Sequence, residues 1–237
     1  MNRGLITEKP KEQVSEMFNN IARRYDSLNS FLSAGNDRRW RQRLADSLRP
    51  HKPKTILDVA TGTADVAIVL AQLQPQKITG IDISEGMLEI GRQKISRLKL
   101  THLISLLQAD ATKLPFETNS FDAVTVAFGA RNFENLQQAL SEIHRVLRPG
   151  GKLAILEFSI PQNSIVRLFF LLYLRYLLPV IGKTWSKNST AYSYLSETIQ
   201  EFPYGRHFVV KLNNAGFINT NARQLSMGIV TLYTALK

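Results

Sequence analysis

The sequence predicts an α/β fold built on a doubly wound, mostly parallel sheet. From Thr55 onward, short runs of aliphatic and β-branched residues alternate with segments of helical periodicity. Such alternation is typical of parallel sheets, because a helix makes the crossover from each strand to the next. Five strands of this kind are predicted, at 55–59, 77–82, 104–108, 121–127 and 152–158.

The segments around these five strands predict a cap, a lid and a sheet closure. Val14, Phe18, Ile21 and Tyr25 recur at three- and four-residue steps, which indicates an amphipathic helix before the first strand. Beyond residue 159 an aromatic, leucine-rich stretch replaces the alternation, and two late β-rich pieces are predicted to close the sheet. One domain, 1–237, is therefore divided into a helical cap (1–54), a ligand-binding core (55–159), a lid or substrate insertion (160–205) and closing strands (206–237).

Composition limits the classes of function. The 237 residues are 44% hydrophobic and 21% charged, which is typical of a globular protein. Thirty Lys and Arg against nineteen Asp and Glu give a net charge of +11, which favours an anionic partner such as nucleic acid or a phospholipid surface. The chain has no cysteine, so disulfides, thiolate metal sites and cysteine nucleophiles are excluded. The four histidines lack metal-binding spacing, and no metal is predicted.

Targeting signals are not apparent in the sequence. Residues 1–11 carry charges of both signs without an apolar core, so a cytoplasmic location is predicted.

The most apolar stretch, 165–182, is interrupted by Arg167 and Arg175, whereas a spanning helix needs about 20 apolar residues. We interpret it as a lid helix over an apolar ligand or as a helix at the lipid interface. An ordinary buried helix fits the same periodicity.

The strongest motif is the run 57–65, a strand that passes through a turn of small residues into a helix. Ligands of open α/β sheets bind at the carboxyl ends of the strands, and Asp82 ends the second strand, where its carboxylate could accept both ribose hydroxyls. Because only Gly62 is glycine in this turn and no Walker lysine follows, a dinucleotide and nucleotide hydrolysis are disfavoured. The pattern predicts a nucleoside-containing ligand without phosphates. Asp58 has two interpretations, a ligand contact or a brace for the loop.

At this point the sequence resembles the seven-strand S-adenosylmethionine-dependent methyltransferases, with acidic residues at the ends of the first two strands and Asp110-Ala111 after the third. Four segments narrow the resemblance to the ubiquinone/menaquinone biosynthesis C-methyltransferase family, over nearly the whole chain from about Val14. They are Tyr25-Asp26-x-x-Asn29-x-x-x-Ser33-x-Gly35-x-x-Arg38-x-Trp40-Arg41, Phe128-Gly129-x-Arg131-Asn132, Arg145-Val-Leu-x-Pro149-Gly150-Gly151 and Leu156-Glu157-Phe158-Ser159.

The resemblance implies a Rossmann-like class I fold and S-adenosylmethionine as the cofactor. It implies that Gly62 and Thr63 line the methionine part, that Asp82 holds the ribose, and that Asp110 with Ala111 meets the adenine. Many family members have glycine at the position of Ala64, so the backbone is expected to lie slightly farther from the cofactor there.

Methylation of a hydroquinone carbon is helped by ionising the neighbouring hydroxyl, which is costly at neutral pH because a phenol has a pKa of about 10. Arg131 follows the fourth strand and, as a permanent cation, could hold that hydroxyl as phenolate. The alternative is that Arg131 pairs with a carboxylate and orders its loop. Tyr25 is a second candidate catalytic residue, with closure of the cap as its alternative role.

The resemblance implies C-methylation of a prenylated demethylquinol, with demethylmenaquinol favoured and a dual role on ubiquinone precursors as the alternative. An RNA methyltransferase is less favoured, since Phe128-Gly-Ala-Arg131 replaces the Asn/Asp-Pro-Pro-aromatic turn of amino-group methylases, and no nucleic-acid partner is predicted. A non-catalytic membrane-docking module is a further alternative.

Residues 37–54 hold seven Lys/Arg and two acids, a net of +5, and 168–174 are apolar. Peripheral docking at the anionic inner face of the cell membrane is therefore predicted. Whether the chain forms a homo-oligomer is left open.

Overall fold

The computed structural model describes residues 10–177 and 189–237. Its centre is a seven-stranded sheet with the strand order β3-β2-β1-β4-β5-β7-β6. The strands are β1 (Thr55–Val59), β2 (Lys77–Asp82), β3 (Ile104–Gln108), β4 (Phe121–Ala127), β5 (Leu147–Phe158), β6 (Ile218–Leu225) and β7 (Val230–Leu236). β1 to β5 run parallel, and β7 is antiparallel to both β5 and β6. The prediction of a doubly wound, mostly parallel sheet is confirmed.

Two predicted boundaries differ from the structure. β5 begins at Leu147 rather than at Lys152, because Leu147 pairs with Phe121 before residues 148–151 bulge out of the ladder, and Lys152 then pairs with Ala123. Residues 206–237 contain a helix before the two closing strands. The bulge follows from Pro149-Gly-Gly151, in which Gly150 has a φ of +75°.

Eight α-helices lie in the described part of the chain. They are α1 (Lys11–Leu32), α2 (Asn36–Leu48), α3 (Asp65–Leu70), α4 (Glu85–Arg97), α5 (Leu136–Val146), α6 (Ser164–Leu172), α7 (Ser189–Glu201) and α8 (Arg206–Asn214). A π-helical turn, Tyr173–Leu177, extends α6. The apolar periodicity of the cap helix is confirmed, since Val14, Ile21 and Ala22 are buried.

Both faces of the sheet are covered by helices, because neighbouring side chains of β1 point alternately into two different hydrophobic cores. Leu57 and Val59 belong to the core formed with α5 and α8, whereas Ile56 belongs to the core formed with α2 and α3. A third, smaller cluster joins the cap to the lid and contains Ile21, Phe170, Leu174 and Ile199. The cap and lid therefore pack on each other above the carboxyl ends of the strands.

The apolar stretch 165–182 is described only to residue 177, so its last five residues lie outside the described ranges, as do residues 1–9 of the predicted N-terminal segment. Within 10–177 and 189–237, no helix has the length and apolar character needed to cross a bilayer.

Candidate active site

Two adjoining cavities lie at the carboxyl ends of β1 to β4. The smaller one, of about 70 Å³, is lined by the turns that follow these strands. The larger one, of about 380 Å³, lies under the cap and lid helices. Phe18, Tyr25 and Phe128 line both cavities. These three aromatic side chains therefore form the partition across which ligands in the two cavities would meet.

Asp82 is the central polar group of the smaller cavity. Its Oδ2 accepts a hydrogen bond from the Gly62 N–H at 2.8 Å, and its Oδ1 accepts one from the Ser84 N–H at 2.9 Å. The Gly62 backbone adopts a φ of +56°, which glycine reaches at little cost. Burial raises the pKa of Asp82, and the backbone N–H groups oppose that rise. The carboxylate is thus fixed in orientation, with a lone pair left on each oxygen.

Asp110 and Ala111 line the far end of the smaller cavity. The Asp110 Oδ1 accepts hydrogen bonds from the N–H and the hydroxyl of Thr112, both at 2.8 Å. Its Oδ2 pairs with the Lys11 ammonium at 3.1 Å. Burial acts to raise the pKa of Asp110, but the bonds from Thr112 and the Lys11 cation together lower it. The beginning of α1 is therefore held against this end of the cavity.

Asp58 and Thr63 make other contacts than those expected of cofactor ligands. Asp58 is buried and accepts hydrogen bonds from the hydroxyls of Thr61 and Thr125, each at 2.6 Å. Thr63 donates its hydroxyl to Asp26 at 2.6 Å. In the described part of the chain, neither side chain belongs to the wall of the smaller cavity. Asp58 therefore connects the turn that follows β1 to the neighbouring strand β4.

Burial raises the pKa of Asp58 to about 6, from 3.8 in the unfolded chain, which predicts a pH-dependent stability. The folded state binds more protons than the unfolded state between these values, so this group adds stability as the pH falls from about 7 to about 4. We expect the unfolding free energy of the wild type, minus that of Asp58→Asn, to increase by about 2 kcal/mol over that range. Urea unfolding of both proteins at several pH values measures this free-energy difference. A difference that does not change with pH would contradict the prediction.

The larger cavity is mostly apolar. Its floor is an aromatic cluster in which the Phe128 ring lies 4.8 Å from that of Phe158 and 5.9 Å from that of Trp40. Its walls include apolar side chains of the cap and lid, namely Met17, Ile21, Leu32, Val166, Phe169, Phe170, Leu174, Leu195 and Ile199. Such a cavity fits a flat aromatic ring that carries an apolar chain.

Arg131 reaches the larger cavity from the short 3₁₀ turn Ala130–Asn132. Its Nη1 donates to both carboxylate oxygens of Glu157, at 3.0 and 3.1 Å, and to the Phe128 carbonyl. The side chains of Arg131 and Glu157 are 6% and 0% exposed. The buried Arg131 Nε finds no hydrogen-bond partner among the described residues. The guanidinium is thus fixed by a buried counter-charge and retains an unused donor.

Tyr25 stands in the partition between the cavities. Burial raises the pKa of its hydroxyl, and the nearby charges of Arg131 and Arg41 lower it without cancelling that rise. Its hydroxyl is hydrogen-bonded to Asn29. A neutral tyrosine of this kind can donate or accept a hydrogen bond but does not serve as a strong base at neutral pH.

Several groups were missed by sequence reasoning. Lys94 of α4 pairs with Asp26 at 2.5 Å and with Asp65 at 2.6 Å, which fastens α1 to the loop that carries Thr63. Tyr194 of the lid lines the larger cavity and donates its hydroxyl to Asn132 at 3.1 Å. No local pattern in the sequence marks these residues. Asp26 lies 68 positions from Lys94, Asn132 lies 62 positions from Tyr194, and Asp65 is on a different helix from Lys94.

Comparisons with known proteins identify the family of this chain. The ubiE/COQ5 methyltransferase family matches residues 6–237. A demethylmenaquinone methyltransferase of Bacteroides fragilis is 47% identical over 97% of this chain and 94% of its own length. A protein of Geotalea daltonii named ubiquinone/menaquinone biosynthesis C-methyltransferase UbiE is 43% identical over 98% of this chain and 99% of its own length.

Solved structures share the fold at low sequence identity. A SAM-dependent methyltransferase from Aquifex aeolicus has a TM-score of 0.56 and 21% identity, over 77% of this chain and 81% of its own. A phosphoethanolamine N-methyltransferase of Haemonchus contortus in complex with S-adenosyl-L-methionine has a TM-score of 0.58 and 16% identity, over 78% of this chain and 48% of its own. With the family match over nearly its entire length, the chain belongs to the ubiE/COQ5 methyltransferase family.

Proposed function

We propose that this protein transfers a methyl group from S-adenosylmethionine to a ring carbon of demethylmenaquinol, giving menaquinol. The observation that carries this proposal is the contact between two cavities, one with the Asp82 and Asp110 carboxylates in its wall and suited to a nucleoside, the other mostly apolar and suited to a prenylated ring. Relatives named demethylmenaquinone methyltransferase, at 38–47% identity, support the naphthoquinol ring. The name of the Geotalea relative supports a dual role on ubiquinone precursors as the second candidate.

The residues around the smaller cavity fit S-adenosylmethionine. Each oxygen of Asp82 keeps a lone pair that can accept one of the two ribose hydroxyls. Asp110 can accept the adenine amino group, with Ala111 beside it, and the Gly62 turn leaves space near the methionine part. Bound there, the cofactor supplies a methyl group already activated on a sulfonium.

Arg131 is the residue that we assign to the ring hydroxyl next to the reacting carbon. Its side chain lines the larger cavity, and its permanent charge would favour the phenolate form of that oxygen. The Glu157 carboxylate fixes the guanidinium, so little reorganisation is needed when the hydroxyl ionises. Tyr25 and Phe128 separate the cavities and would align the ring with the methyl group while excluding water.

Methyl transfer by purified protein tests the function. Labelled S-adenosylmethionine is offered with a demethylated naphthohydroquinone, a benzohydroquinone precursor and bulk RNA, in parallel and under reducing conditions. We expect label in the naphthohydroquinone. Label in both quinols would establish the dual role, and label in RNA alone would overturn the substrate assignment.

The outer face of α6 supports peripheral association with the cytoplasmic face of the membrane. Ile165, Leu168, Phe169 and Leu172 are exposed apolar side chains, and Arg167 on the same helix is exposed as well. Phe169 is 66% exposed and also lines the larger cavity, so the cavity opens onto this face. A prenyl chain could therefore pass from the bilayer into the cavity along α6.

A charge-insertion experiment tests this surface. The double variant Leu168→Glu, Leu172→Glu is expected to lower co-sedimentation with liposomes containing anionic lipid at least tenfold, since burying each leucine contributes about 2 kcal/mol. The control is Val210→Glu on α8, where the replaced side chain is 55% exposed, close to the 57% of Leu168. Equal loss in the control, or binding that does not depend on anionic lipid, would contradict the assignment.

A further inference from the structure

The larger cavity has one polar corner, where α1 passes into α2. Asn29, Ser33, Asn36, Asp37 and Arg41 line it there. Among the described residues that line this cavity, Asp37 carries the only carboxylate. An acidic group in the wall of a mostly apolar cavity is costly to bury unless it is paired, and its placement calls for a chemical explanation.

Asp37 is held in a defined orientation. Its side chain is 7% exposed; Oδ2 pairs with the Arg41 Nη1 at 2.9 Å, and Oδ1 accepts the Ser33 hydroxyl at 2.9 Å. The same Arg41 nitrogen lies 3.1 Å from Asp65, outside the cavity wall. Each oxygen of Asp37 has further lone pairs, so the carboxylate can accept another hydrogen bond but cannot donate one.

Arg131 contributes the opposite kind of group. A guanidinium donates hydrogen bonds and accepts none, whereas an ionised carboxylate accepts and donates none. Arg131 and Asp37 line the same cavity, as do Tyr25 and Asn29, which are hydrogen-bonded to each other, so the donor and the polar corner belong to one cavity wall. A ring with two oxygens on opposite sides would meet a donor at one oxygen and an acceptor at the other.

We propose that Asp37 accepts a hydrogen bond from the second ring hydroxyl and thereby selects the reduced hydroquinone over the oxidised quinone. This inference rests on the proposed function. Both oxygens of a hydroquinone carry a proton that can be donated to Asp37. A quinone has only carbonyl oxygens, and a carbonyl placed against a buried carboxylate finds no proton and is repelled. Sites built to bond a substrate hydroxyl reject analogues that lack it strongly, for the same reason.

The test compares the two oxidation states of one ring in the wild type and in Asp37→Asn. The KM of a short-chain demethylnaphthohydroquinone is measured under strict reduction, and the matching quinone is titrated as an inhibitor of methylation of a redox-stable monophenol analogue. We expect the wild type to favour the hydroquinone at least tenfold. In Asp37→Asn the amide can donate to a carbonyl, so the preference is expected to fall at least tenfold while the affinity for S-adenosylmethionine is unchanged.

Asp65→Asn is the matched control, because it removes the other carboxylate that pairs with Arg41 and leaves the cavity wall intact. It is expected to keep the preference for the hydroquinone. Ser33→Ala, which removes the hydroxyl bonded to Oδ1, is the milder variant if Asp37→Asn folds poorly, and it is expected to lower the preference by a smaller factor. An unchanged preference in the folded Asp37 or Ser33 variant, with normal methyl transfer, would overturn this inference alone. Failure of the wild type to methylate any quinol would overturn the proposed function together with it.

Discussion

The double variant Arg131→Gln, Glu157→Gln is expected to bind S-adenosylmethionine normally and to lose turnover by about 100-fold or more. Removal of one preorganised donor to a developing oxyanion costs about that much in other enzymes. Cofactor affinity should be retained, because Arg131 lies in the wall of the larger cavity and not in that of the smaller one. Cofactor binding by calorimetry and single-turnover methyl transfer measure the two effects separately.

Arg131 and Glu157 are changed together because they form a buried ion pair, in which each charge needs the other. Arg131→Gln alone would leave the fully buried Glu157 carboxylate without its counter-charge, at a cost of about 3–5 kcal/mol of stability. Glu157→Gln alone keeps the cation but leaves it without its buried counter-charge, so it is compared with the double variant at equal amounts of folded protein. Its turnover is expected to fall much less. Normal turnover in the folded double variant would remove Arg131 from the chemistry.

The second large effect is expected at Asp82. Asp82→Asn should raise the dissociation constant of S-adenosylmethionine by at least about 100-fold, since two hydrogen bonds to a charged group contribute about 1.5–3 kcal/mol each. An amide has only one acceptor oxygen, which the N–H of Gly62 or Ser84 would occupy. Equilibrium binding of the cofactor measures this change.

Asp58→Asn is the matched control, because it neutralises the carboxylate at the end of the neighbouring strand. Asp58 is bonded to Thr61 and Thr125, so its substitution should change cofactor affinity by less than about threefold. Equal losses at the two positions would show that Asp58 acts on the cofactor as strongly as Asp82 does.

The predicted bounds of β1 to β4 agree with the structure, including those of the largely exposed edge strand β3. Each is a short run rich in aliphatic and β-branched residues that is bounded by turn or polar residues. The beginning of β5 was missed because Pro149-Gly-Gly151 has the sequence of a turn, although it forms a bulge within a strand. The helix α8 was missed because the segment was assigned to the sheet closure as one piece.

The sequence by itself predicted the class of the fold and placed Asp82, Gly62, Asp110 and Ala111 together at the carboxyl edge of the sheet, where the structure has the smaller cavity. Strand order and strand ends follow from local periodicity, so residues next to those ends can be placed together without knowing the packing. Asp58 shows the limit of this argument. It lies within β1 rather than after it, and its hydrogen bond to Thr125 of β4 turns the carboxylate into the sheet.

Only the tertiary structure decided which charges meet. Arg131 and Glu157 are 26 residues apart, Asp26 and Lys94 lie on α1 and α4, and Asp37 enters the wall of the larger cavity because α2 packs against β5. An ion pair has no sequence period and depends on the distance between two side chains and on their exclusion from water. Both quantities are set by how the cap and lid pack on the sheet, which no local pattern in the chain specifies.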